Sequence, residues 1–94
     1  MLSRIPIMLE KVRKENLDRE ILRAALIAEL DAINLYEQMA DLTKGERIKK
    51  VLLEVAREEK THTGEFQSLL LKLDQEQEKE LEAGKKEVEE LIPR

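Results

Sequence analysis

Apolar residues recur along the chain in two long runs with helical phase. In the first run, Leu22, Leu26, Glu29, Ile33, Tyr36 and Ala40 follow steps of 4, 3, 4, 3 and 4. In the second, Leu52, Val55, Glu59, His62, Phe66, Leu69 and Leu73 follow steps of 3, 4, 3, 4, 3 and 4. Such heptad seams mark helices packed at a shallow angle. They predict two long helices, at about 17–42 and 46–74, interrupted by Thr43-Lys44-Gly45. Asn16 or Asp18 can accept the free amides of the first turn, and Gly45 suits the left-handed position past a helix end. So short a connection makes the helices antiparallel neighbours, a hairpin with one continuous packing face. A charged stretch from Gln75 to Glu80 then leads to a third helical segment at about 81–92, marked by Leu81, Val88, Leu91 and Ile92 and closed by Pro93. That segment either packs on its own hairpin or contacts a neighbouring subunit. Ahead of the first helix, Ile5, Ile7, Met8, Leu9 and Val12 form a short apolar patch around Pro6.

Composition agrees with an all-α fold. Aromatic residues, which strand-rich folds favour, are limited to Tyr36 and Phe66. Leu, Ala, Glu, Lys and Arg dominate, as in long helices. A single domain of 94 residues buries a modest core. With no Cys to cross-link it, such a chain gains stability by oligomerising or by binding metal. The net charge of −4 offers no basic stripe for nucleic acid. No apolar run approaches the ~18 residues of a membrane span, and the apolar stretch within Met1–Leu9 is too short for a signal peptide. A soluble cytoplasmic protein is expected.

Three polar residues interrupt the seams: Glu29, Glu59 and His62, the last being the one histidine of the chain. Charges at such positions are costly unless paired or metal-bound. Glu59-x-x-His62 sets a carboxylate and an imidazole one turn apart on one helix face. Glu29 and Glu59 each lie 15 positions from residue 44, in the turn, so an antiparallel hairpin brings them level. The three side chains should therefore converge. Di-iron carboxylate bundles use two helices with a Glu each and two with a Glu-x-x-His each. This chain has one of each, and a two-fold dimer would complete the set. Its four carboxylates would then neutralise two Fe²⁺ ions. Carboxylate with imidazole suits iron or manganese better than a closed zinc site. The competing reading is a Glu–His ion pair that fixes helix register in a non-catalytic oligomerisation module. Tyr36, two turns from Glu29, reads equally as a core residue or as a partner of a ligand carboxylate. Met39 reads as packing, and Gly64 either admits a neighbouring helix or has no special role.

The stretch Ala28-Glu29-Leu30-Asp31-Ala32-Ile33-Asn34-Leu35-Tyr36-Glu37-Gln38, with Arg57-Glu58-Glu59-Lys60-Thr61-His62, resembles the encapsulated ferritins. These are short ferritin-like proteins housed in encapsulin nanocompartments, and the similarity covers about residues 16–75. The resemblance implies a ferritin-like four-helix arrangement formed on dimerisation. It also implies a ferroxidase centre at the homodimer interface and a ring of dimers, typically a decamer. By resemblance, Glu29, Glu59 and His62 are the iron ligands and Tyr36 lies close to the centre. Iron oxidised there with O₂ would be stored by the encapsulin shell, which would place the protein inside that nanocompartment. A rubrerythrin-like di-iron peroxidase is the alternative chemistry, disfavoured because no Cys-based electron-transfer domain accompanies the site. Relatives can carry an outer metal site of two acids and a Trp; the matching positions are Ala28, Asp31 and Leu35, so one acid remains. Cargo relatives end in a shell-targeting peptide, whereas this sequence stops at Leu91-Ile92-Pro93-Arg94. The expectation is a trimmed tail or the leading domain of a fusion to the shell.

Overall fold

The computed structural model describes residues 13–94; the apolar patch from Ile5 to Val12 lies outside the described residues. A 3-10 turn, Lys14–Asn16, leads into α1 (Leu17–Leu42), α2 (Glu46–Leu73) and α3 (Gln75–Leu91). No strand occurs among the described residues. α1 and α2 pack along their length as an antiparallel hairpin.

The ends of the helices differ from the sequence reading in three places. Asn16 stands at the cap of α1, but its side chain caps no amide and accepts instead from the Arg19 guanidinium. Gly45 is extended, at φ −88° and ψ 112°, and not left-handed. The turn is made by extended Thr43, whose hydroxyl oxygen accepts from the Gly45 amide at 3.1 Å. The chain therefore reverses without a positive φ. The largest correction concerns α3, which opens at Gln75, where a charged connector to Glu80 was expected. Asp74 starts it: its carboxylate accepts from the Gln77 amide at 3.0 Å, satisfying one of the first-turn donors.

The hairpin interior is thin. Ala40, Ala56 and Leu70 are its buried apolar residues, and no large side chain is fully buried among the described residues. The seam of α2 does not sit wholly against α1, since Leu69 and Leu73 are half exposed. A single neighbouring helix covers one stripe, and the apolar band of α2 is wider than that. Lys60 Nζ bonds Glu37 Oε2 at 3.1 Å and ties the two helices together beside the seam. The molecule measures 46 × 43 × 19 Å. At 1.5 Å per residue, α2 accounts for about 42 Å of length. The second long dimension comes from α3, which leaves the hairpin sideways.

Candidate metal centre

Midway along the hairpin, α1 supplies Glu29 and α2 supplies Glu59 and His62. Helical spacing stacks the last two on one face, and equal distance from the turn levels them with the first. One ligand atom from each lies within 4.8 Å of the other two. His62 Nδ1 is 3.7 Å from Glu29 Oε2 and 3.5 Å from Glu59 Oε2. Both separations exceed a good N–H···O hydrogen bond. They approach the spacing of donors around a shared third atom: two ligands about 2.1 Å from one cation sit about 3.0–3.6 Å apart, a range the 3.5 Å separation meets and the 3.7 Å one slightly exceeds. The two carboxylates are largely shielded, at 18% and 19% side-chain exposure, while the imidazole is 44% exposed.

Glu29 Oε2 is buried and accepts no hydrogen bond. An unsatisfied buried oxygen costs about 1–3 kcal/mol, and more when charged. A divalent cation would relieve that cost, so the residues present fit one. The donor set, two hard oxygens and an imidazole, suits a first-row metal such as iron or manganese. Three donors also leave coordination positions unfilled.

Tyr36 is half-buried on α1, about 10 Å along the axis from Glu29. Its hydroxyl bonds to no other described residue. Asp31, the acid remaining at the outer-site positions, is buried. The Glu29, Glu59 and His62 cluster is the one such grouping among the described residues. The sequence reading missed Thr63, whose hydroxyl donates to the Glu59 carbonyl at 3.0 Å across the turn that carries Glu59 and His62. A Thr four residues beyond a carbonyl in a helix was the available signal.

Comparison with known proteins places the chain in a family. The rubrerythrin family model matches residues 20–93. The crystal structure of the encapsulated ferritin domain from Pyrococcus furiosus superposes with a TM-score of 0.85 at 53% identity, covering 100% of this chain and 98% of that one. The chain belongs to the encapsulated ferritins, within the rubrerythrin family. A ferritin-like–encapsulin shell fusion protein of Pyrococcus furiosus is 57% identical over 97% of this encapsulated ferritin. An encapsulin nanocompartment cargo protein of Myxococcus xanthus is 41% identical over 70% of it. The chain spans 27% of the length of the first relative and 53% of the second. Among its described residues, no helix of this encapsulated ferritin is long and apolar enough to cross a membrane.

Proposed function

We propose that the protein is a ferroxidase that oxidises Fe²⁺ with O₂ at a di-iron centre shared across a homodimer. The observation that carries this reading is the buried, unpaired Glu29 Oε2 facing Glu59 and His62.

A dimer is supported by the pattern on α2. Positions of like character lie at equal distances either side of the Lys60–Thr61 bond: Glu59 with His62, Val55 with Phe66, Leu52 with Leu69, and Ile48 with Leu73. In an isologous contact, residue i meets residue j and j meets i. Two antiparallel copies of α2 centred on that bond would set apolar residue on apolar residue. Each Glu59 would then face the partner's imidazole. Ile48, Leu69 and Leu73 are among the exposed large apolar side chains of the hairpin, as this packing requires. The dimer would hold four carboxylates and two imidazoles, charge-matched to two Fe²⁺ ions.

As substrate, the two ions give up one electron each, and O₂ takes both electrons and two protons to leave as hydrogen peroxide. Glu29 and His62 act as terminal ligands. Glu59, which lies beside both Glu29 and His62, is the carboxylate suited to bridge the ions. The shielded carboxylates hold the ions in place, and the half-exposed imidazole edge leaves the way in for small molecules. Tyr36 stands along α1 where its hydroxyl can serve a ligand carboxylate or donate an electron. Fusion to an encapsulin shell in one relative, and cargo status in another, support a role in delivering ferric iron inside an encapsulin nanocompartment. A ring of dimers, a decamer by resemblance, is the expected assembly. The deciding experiment is stopped-flow absorbance of Fe²⁺ oxidation under O₂, compared with peroxide as oxidant. Ferric growth under O₂ supports the ferroxidase; reaction with peroxide alone transfers the site to peroxidase chemistry.

A further inference from the structure

The corner between α2 and α3 is built around one carboxylate. Asp74 is nearly buried and sits in non-helical backbone, at φ −134° and ψ 85°, where the chain changes direction. Its Oδ1 accepts from the Gln77 amide at 3.0 Å, and its Oδ2 accepts from Arg23 Nη2 at 2.6 Å. One side chain thus joins α1, the end of α2 and the start of α3. Otherwise α3 is weakly held: among the described residues it packs only on α2, near the corner. A recess of about 350 Å³ opens in the crook, lined by Leu26 and Ile27 of α1, Leu70 of α2, and Gln77 and Leu81 of α3.

Left free, α3 has reason to move. Its apolar stripe continues from Leu81 through Val88 to Leu91 and Ile92, all exposed. Ile27 and Leu30 on α1 are exposed too. Folding α3 back would cover both stripes within one chain. A hydrogen-bonded ion pair resists this because the carboxylate is shielded from water, where such a pair is stronger than at an open surface.

We propose that the Arg23–Asp74 ion pair is a latch that fixes the direction of α3 and keeps it from collapsing onto its own hairpin. The cap and the latch use different oxygens of the same carboxylate, so they can be separated. Asp74→Asn keeps a good cap residue and removes the charge. Arg23→Gln removes the pair from the α1 side and leaves Asp74 intact. Arg23→Lys keeps the charge without the planar reach of the guanidinium.

The chain has no Cys among its residues, so Lys50→Cys and Glu82→Cys give a clean pair of labelling sites on α2 and α3. Pulsed electron paramagnetic resonance on metal-free full-length protein, spin-diluted with unlabelled chain, reads the distance between them. The parent should give one narrow distance. Arg23→Gln and Asp74→Asn should each lose that single peak and add shorter distances, with far-ultraviolet helicity unchanged. Arg23→Lys should lie between. One narrow, unshifted distance in both charge-removing variants would overturn the latch. The readout is independent of iron, so failure here is distinct from failure of the ferroxidase.

Discussion

His62 Nδ1 stands 3.7 Å from Glu29 Oε2, across the two helices of the hairpin and too far for a hydrogen bond. Gathered yet unbonded, the pair is poised for a third atom. Glu29→Ala, Glu59→Ala and His62→Ala should each abolish most Fe²⁺ oxidation, since in the proposed dimer every substitution removes two ligands. Because Glu29 Oε2 is an unsatisfied buried acceptor, Glu29→Ala should cost the metal-free protein little stability or raise it by about 1 kcal/mol. Paired stopped-flow traces and thermal melts test this; parent-like oxidation in all three variants refutes the ligand assignment.

Metal should drive assembly. The proposed site, completed by two chains, would bind metal only when they are together, so mass action should pull monomers into dimers. Each tenfold rise in free metal above its Kd adds about 1.4 kcal/mol per ion. Native mass spectra over a dilution series, with and without Mn²⁺, should show the dimer persisting to lower concentration with the ion. His62→Ala should blunt the shift. Assembly that ignores metal at every dilution would mean that apolar contacts alone hold the chains.

The two-fold symmetry of α2 gives a sharper test. Ile48→Lys or Leu73→Glu alone would put a charge against an apolar partner and should weaken the dimer by at least about tenfold. The double variant sets Lys against Glu at both ends and should recover part of the loss. Sedimentation equilibrium reads all four proteins. If the double variant is no better than the worse single one, the register is wrong.

Gly64 has open space where a Cβ would stand, with nothing within 4 Å. It also lies on the face of α2 away from the seam. Gly64→Ala should therefore stabilise α2 by about 1 kcal/mol without altering oxidation or dimer mass. A loss of dimer would show that a helix approaches this face after all.

Acid should loosen α3 before it melts the hairpin. The Gln77 amide, then the Arg23 guanidinium and the charge of Arg19, hold the Asp74 carboxyl below its usual value, against the opposing effect of burial. A carboxyl depressed in the folded state stabilises it above the unfolded pKa, and that stability fades as pH falls through the folded value. The α2–α3 distance should broaden below about pH 4 and stay narrow at neutral pH. Arg23→Gln, which lacks the pair, should be broad already at neutral pH.

The long helices and the converging Glu29, Glu59 and His62 were legible because a seam records both period and level. A charge inside a heptad stripe stands out, and equal spacing from a turn fixes height. The start of α3 was hidden because Gln75 to Glu80 carry no apolar residue for periodicity to act on. Asp74 followed three residues later by Gln77 was the readable sign of a helix start. The Arg23–Asp74 contact joins positions 51 apart in sequence and leaves no local trace. The capping of α1 and the conformation of Gly45 depended on side-chain competition in the turns, where several solutions suit one sequence.

The thin interior also sets the tempo of folding. With Ala40, Ala56 and Leu70 as the buried apolar residues, one hairpin reaches its final shape quickly but gains little by it. Neighbouring helices joined by a short turn need only microsecond closure, whereas subunit encounter is slow and concentration-dependent. Assembly of the proposed dimer is therefore a second-order process, and its half-time lengthens as the chain is diluted. Copies made close together on one messenger, or tethered side by side, mature faster than the same number scattered, because tethering raises the local concentration each chain sees.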